Sequence, residues 1–409
     1  MEKLNDNWAV KGTDFNDFCS ELSDLKDRTS FVPFNLCELS VVTPSDVEIT
    51  TKKGNAAFPM KIHHGEEVAK STCIGKDNIT AKQVSYEEFM HSVENGNLMF
   101  LKGTQLIFSS ESLYKTLAQR IGFNGSALTN GTCRYQRDAL VGALLYEKAT
   151  HAKACIRTVN GSKKVFSMVT SSYQEIPSTI VLDIVDEIKK MPEGSSVQCK
   201  SWEISQNIII LNLEFPEIAK EMNEAYGLPD EWVPGVRIVT SDTADSSLLI
   251  YSTWRNNSKK NSSVIIQNKV ERQHRGKDKT ETVISEIIED AKISIFAEFF
   301  RYPETMAALL MTDIDHGDEI ELIRSVAKQI SLKKAIKNKE LYAEIMKDME
   351  SKIDPTISYT AYDICSLFLD LPSHFKDMPE RRLRDLANVC GKAPFAKYPY
   401  KKEAQSLIA

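Results

Sequence analysis

The spacing of hydrophobic and polar positions changes along this chain. Near the N-terminus, Phe15, Phe18 and Leu22 fall at helical spacing in a polar, acidic stretch, which predicts a short helix within residues 1–30. Residues 31–62 read as extended: "SFVPFNLCELSVV" and "DVEITT" are rich in β-branched and aromatic residues and are punctuated by Pro33, Pro44 and Gly54. "SYEEFMHSV" (85–93) predicts a short helix, and "LMFLKGTQLIF" (98–108) predicts strand, turn, strand. Ser109 and Ser110 are N-cap candidates for a helix in which Leu113, Leu117 and Ile121 recur and which Gly122 ends. Residues 134–150 predict another helix.

The clearest local pattern is "HAKACIRTVNGSKKVFSMVTSSY" (151–173). Two β-rich runs flank Asn160-Gly161, and both turn positions tolerate positive φ, so a hairpin is predicted. Pro177 opens a helix with Ile180, Ile184, Val185 and Ile188 on one stripe. "VQCKSWEI" with "NIIILNLEF" predicts a second strand pair, and "GVRIVTSDTADSSLLIYSTW" a third around "SDTAD".

After residue 280 the period becomes helical throughout, with Pro303, Gly317, Pro355 and Pro372 as breaks. The fold class expected is α+β: β-hairpins with packed helices, then an all-helical C-terminal part. Three segments are expected: an N-terminal α+β segment (1–110), a β-rich central domain (111–280) and a helical region (281–409).

Composition adds compartment and class. A chain of 409 residues, 42% hydrophobic and 26% charged, carries material for well-packed cores. No apolar run approaches the ~20 residues that span a bilayer. The N-terminus lacks the apolar core and small-residue cleavage site of a signal peptide, so a cytoplasmic protein is expected. The eight cysteines are scattered without CxxC spacing, which suits reduced thiols.

Charge changes the picture more. The net charge is −6, yet residues 251–280 hold eight cations against two acids, and residues 130–164 seven against two. Such asymmetry governs encounter with charged partners.

Motifs for chemistry are sparse. "HHGEEVAKST" (63–72) fails as a phosphate loop, because Gly65 stands one residue short and Ala69 occupies the second glycine position. Adjacent His63 and His64 would point to opposite faces of a strand, so they do not make a metal pair. "TDIDHGDE" (312–319) clusters carboxylates just before a helix, where acidic residues favour the N-terminal dipole. No GxSxG, HExxH or GxGxxG occurs. No catalytic residue, metal site or cofactor is therefore assigned, and the reading leans away from an enzyme.

The basic segments are the candidate site. Arg157, Lys163 and Lys164 lie on the 151–173 hairpin; Trp254, Arg255, Lys259 and Lys260 follow the third strand pair; Arg272, His274, Arg275 and Lys277 form a later run. Cations, amides, hydroxyls and an aromatic are the groups that track a phosphate backbone and stack on bases. Trp254 is the stacking candidate, weighed against a core role.

The order of several segments resembles a family of phage- and plasmid-borne proteins, domain of unknown function 932. The segments are "LYKTLAQRIGF", "RDALVGALLYEK", "CIRTVNGSKKVFSMVTSSYQEIPSTIVLDIVDEI", "RIVTSDTADSSLLIYSTWRNN" and "VERQHRGKD", with "SYTAYDICSLFLDL" resembling a late helix. The matching places are Arg157-Thr158, Ser171-Ser172-Tyr173, Ser241-Asp242-Thr243-Ala244-Asp245 and Arg272-Gln273-His274-Arg275, over roughly residues 110–370. Ser172 stands where the family has arginine and Ala244 where its turn has glycine, and a cysteine–asparagine–glycine segment near 255–265 is missing. The resemblance implies a mobile-element origin and, by analogy, a role in nucleic-acid handling or in countering host defence.

The expectation is thus a mobile-element protein that binds DNA or RNA through basic hairpin and loop residues, in recombination or annealing. The alternative is a protein-interaction module, either an inhibitor of host defence or a self-assembling phage component. It implies a host or phage protein partner or a homo-oligomer. A metal-dependent nuclease is the third reading. No membrane partner is expected.

Overall fold

The computed structural model describes residues 2–35, 40–42, 47–49, 60–62, 73–74, 99–102, 105–120, 151–160, 162–191, 196–258, 264–273, 280–375, 378 and 380–398. The predicted helices at 85–93 and 134–150, the stop at Gly122 and the 63–72 stretch lie outside these residues.

Strand β1 (Ala9–Gly12) leads into helix α1 (Phe15–Arg28), whose first turn is capped by the Asp14 carboxylate accepting from the Asn16 and Asp17 amides. Phe18, Leu22 and Leu25 form its buried stripe. With strands numbered in chain order, one sheet runs β2 (Thr29–Asn35), β9 (His151–Val159), β10 (Ser162–Thr170), β8 (Gln105–Ser109), β7 (Met99–Lys102), β3 (Ser40–Val42). Its β9–β10 pair is the predicted hairpin, with Asn160 at φ 51° in the turn. A small sheet joins β4 (Val47–Ile49), β5 (Met60–Ile62) and β6 (Cys73–Ile74).

The main sheet runs β1, β11 (Gln198–Ser205), β12 (Ile209–Glu214), β13 (Trp232–Thr240), β14 (Leu248–Asn256), β15 (Val264–Arg272), all antiparallel. Close approach of β12 and β13 explains Gly235: a Cβ there would meet the Leu213 carbonyl and the Thr253 hydroxyl. The later basic run begins at the end of β15, so Lys269 and Arg272 are strand residues.

The helices are α2 (Glu111–Arg120), α3 (Ile180–Lys190), α4 (Pro216–Tyr226), α5 (Thr280–Ala291), α6 (Glu298–Leu310), α7 (Glu319–Gln329), α8 (Leu332–Ile336), α9 (Lys339–Ser351), α10 (Ala361–Asp370) and α11 (Glu380–Cys390). α4 was unforeseen, although its signals are readable: Pro216 at the first position and Gly227 at φ 59° after the last. Pro303, expected as a break, lies inside α6, which follows α5 through a π turn at Lys292–Phe296. The capping box of α10, Thr360 with Asp363, matches the pattern "TAYD".

The architecture is α+β with a helical C-terminal part, as expected. The three segments read from the sequence nonetheless share sheets and core. β1 joins β11, β2 joins β9, and one hydrophobic cluster runs from Trp8 to Tyr398. One face of the main sheet carries Trp202, Ile204, Leu211, Val236, Ile238, Ile250 and Trp254 into that cluster. Burying each such side chain stabilises by about 1.5–3 kcal/mol before chain entropy is counted. The five described cysteines, Cys19, Cys155, Cys199, Cys365 and Cys390, are free thiols. Burial pushes Cys199 up to about 11 and Cys155 up to about 12, so both are neutral packing groups. No helix among the described residues is long and apolar enough to cross a membrane.

Candidate nucleic-acid interface

The structure separates the candidate residues into buried, ion-paired and exposed. Arg157 is 1% exposed and Lys164 0%. They lie directly opposite each other on β9 and β10 and turn inward. Arg157 Nη1 donates to the Gln206 backbone oxygen at 2.7 Å and to its side-chain oxygen, and Nε reaches Thr29 Oγ1 at 3.3 Å. Lys164 Nζ stands 3.2 Å from Asp6 Oδ1. The expected phosphate contacts at Arg157 and Lys164 are therefore corrected. Isolated buried charges are too costly to leave unpaired, and these two are taken up by partners between the sheets.

Trp254 is corrected likewise. It is 1% exposed, stacked on Tyr302 at 4.9 Å between ring centroids, and cannot receive a base. Arg255 forms a two-pronged pair with Glu214, with Nη2–Oε2 at 2.8 Å, and Arg272 Nη1 lies 2.9 Å from Glu286 Oε2. Lys163 is half-buried in β10. Lys259, Lys260, His274, Arg275 and Lys277 lie outside the described residues.

Residues distant in the sequence meet around Arg157 and Asp242. Asp242, in the β13–β14 turn, is 6% exposed. Burial pushes its carboxyl up, while Arg157 and hydrogen bonds from Ser178 pull it down. Asp242 in turn helps raise the Tyr173 hydroxyl. Thr243 Oγ1 bridges to the Asn207 backbone oxygen at 3.4 Å, joining this turn to the β11–β12 turn that Arg157 grips. Gln206 Nε2 also donates to the backbone oxygens of Lys3 and Asn5. The cluster ties both sheets to the N-terminal segment. Arg272 does not enter it: it pairs opposite Leu248, just past the turn.

The other face of the main sheet is different. Cross-strand register places Ser201, Asn212, Arg237, Tyr251 and Lys269 in one row over five strands. Neighbouring strands are ~4.8 Å apart, so the row spans about 19 Å. α11 crosses this face, with Ala387 packed on Ile210, Val239, Leu249 and Tyr251. Arg384 of α11 sits 5.6 Å above the Tyr251 ring centroid. Burial pushes the Tyr251 hydroxyl up, while Arg384, Lys269 and Arg237 pull it down; Glu271 adds to the rise. Lys269 Nζ and Ser247 Oγ engage the Glu271 carboxylate at 2.5 and 3.1 Å. These groups were missed in the sequence because their alignment depends on register.

A second exposed basic surface lies on the C-terminal helices. Lys328, Lys333, Lys334, Lys337 and Lys339 are all exposed, and residues 328–339 contain no acid. By contrast, a groove of about 490 Å³ between α3 and α5 is lined by Asp183, Asp186, Glu187, Glu281 and Glu289 with Lys190 and Lys292, and it would repel a polyanion. In "TDIDHGDE" the Glu319 carboxylate is buried and accepts from the Gly317 amide at 2.9 Å, a helix-start role. Among the described residues no group of three His, Cys, Asp or Glu side chains could hold a metal ion. No family profile, curated protein or solved structure matches the chain.

Proposed function

We propose that this protein binds nucleic acid, and that the outer face of its main sheet is where the phosphate backbone lies. The carrying observation is the row Ser201, Asn212, Arg237, Tyr251, Lys269 with Arg384 stacked above it. Cations there supply charge for phosphate, and the half-buried, mutually bonded Ser201 hydroxyl and Asn212 amide supply neutral polar groups, while Tyr251 is buried beneath α11. Tyr251 lies beneath Arg384 and Ala387, so stacking of a base on its ring would require α11 to shift. The cations of this face favour an anionic partner over an apolar one.

This reading relocates the contact surface from Arg157 and Lys164 on the β9–β10 hairpin and Trp254 in the core to the outer face of the main sheet. A role in recombination or annealing is the form of nucleic-acid handling it would serve. The test is gel-shift titration on single- and double-stranded DNA and RNA at two salt concentrations. Binding that weakens with salt supports the proposal, because each neutralised phosphate releases counterions. No binding at low salt would sink it and leave the protein-interaction reading, which light scattering and pull-down would then take up.

A further inference from the structure

The lysines around α8 form a run of five exposed cations with no acid between them. Lys269, Arg272, Arg255 and Arg324 each have a carboxylate partner. Among the described residues, Lys328, Lys333, Lys334, Lys337 and Lys339 have no carboxylate partner; Lys333 lies 6.0 Å from the Tyr342 ring centroid.

The sequence "KQISLKKAIKNK" explains the shape. Ile330 and Leu332 are buried and anchor the segment, so the lysines on either side turn outward. Ser331 and Lys337 both take left-handed backbone at φ 61°, which closes α8 into a tight knob between α7 and α9. Asn338 then caps α9 by accepting from the Glu340 and Leu341 amides at 2.9 and 3.1 Å. Left-handed backbone costs non-glycine residues about 1–3 kcal/mol, so the surrounding packing holds this presentation in place.

α11 packs against both α8 and β15. The helix that carries Arg384 over Tyr251 therefore also borders the lysine knob, and its Arg382 is exposed. We propose that the α8 knob is a second phosphate-backbone contact for the strand bound on the sheet face, reached across α11. This inference rests on the nucleic-acid reading above. It makes binding bivalent, so a strand long enough to reach both surfaces gains from effective concentration while a short one does not.

The test compares the wild-type protein with the triple variant Lys333→Glu/Lys334→Glu/Lys337→Glu by fluorescence anisotropy. The probes are oligothymidylates of about 5 and about 30 nucleotides, bracketing the site sizes of single-strand binders. A control variant, Lys189→Glu/Lys190→Glu/Lys292→Glu, makes the same net charge change beside the acidic α3–α5 groove. The expected result is at least a tenfold loss of affinity for the long probe in the α8 variant only, with the short probe unchanged. The salt slope for the long probe should become shallower by about 2, at roughly 0.7 per phosphate contact on single strands. Unchanged long-probe affinity, or an equal loss in the control, would overturn the inference while leaving the sheet-face reading intact. Failure of the wild-type protein to bind either probe would overturn the parent reading, and this inference with it.

Discussion

Arg157 Nη1 donates to the backbone oxygen of Gln206 at 2.7 Å, and so fastens the β9–β10 hairpin to the β11–β12 turn of the main sheet. Arg157→Ala removes that bond, empties space beside Phe166 and leaves the buried Asp242 without its compensating cation. The loss expected is about 3–5 kcal/mol, typical of breaking one side of a buried charged network. Urea denaturation measures it. Affinity for oligothymidylate per folded molecule should stay at the wild-type level, since the guanidinium faces no solvent. A binding defect without a stability defect would restore Arg157 as a phosphate contact.

Asp242 makes stability depend on pH in a defined direction. Its folded-state pKa is raised above the ordinary 3.8, chiefly by burial. Well below 3.8 the carboxyl is protonated in both states and makes no difference. As pH rises, the unfolded chain releases the proton first, and the folded state becomes relatively less stable until its own carboxyl ionises. Asp242→Asn abolishes this step. The variant should match the wild-type protein at about pH 2.5, well below the unfolded pKa, and exceed it in stability by about pH 7, as followed by urea midpoints across the range. A wild-type protein that gained stability relative to the variant over the same range would contradict the direction.

Ala244 occupies the β13–β14 turn at φ 59°, a conformation glycine adopts without penalty. Ala244→Gly relieves about 1–2 kcal/mol of backbone strain and gives back about 0.5–1 in chain entropy. A net gain of about 0.5–1 kcal/mol is expected in urea denaturation, with no change in nucleic-acid binding.

Trp254 packs flat on Tyr302 and edge-on to Phe299 in the core. Trp254→Ala should cost about 3–5 kcal/mol through the cavity it leaves. Trp254→Phe keeps an apolar ring and should cost less. Equilibrium titration of the Phe variant is then expected to give wild-type affinity. A base-stacking tryptophan would instead lose binding in both variants.

Period and punctuation made much of the fold readable in the sequence. Asn160-Gly161 predicted the hairpin, the stripe Ile180, Ile184, Val185 and Ile188 predicted α3, and the runs around "SDTAD" predicted β13 and β14. Pairing between distant strands, such as β1 with β11, has no local signature. The site was less legible. Basic residues on a strand alternate between inside and outside, and only the partner sheet decides which face is buried. Arg157 and Lys164 therefore carried the right charge on an inward face. Arg237, Tyr251 and Lys269 lie on separate strands, and Arg384 is far along the chain, so their grouping appears only once register is fixed. The α8 lysines were visible as five cations without an acid over residues 328–339.

The sheet-face account is tested most directly by the salt dependence of oligonucleotide affinity in the wild-type protein and in Arg384→Ala/Lys269→Ala. A plot of log affinity against log salt should be linear with a negative slope for the wild-type protein. The double variant should bind more weakly at every salt concentration, with a slope shallower by about 1.4, two contacts at roughly 0.7 each on single strands. Identical lines for the two proteins, or an affinity that salt does not change, would contradict the account.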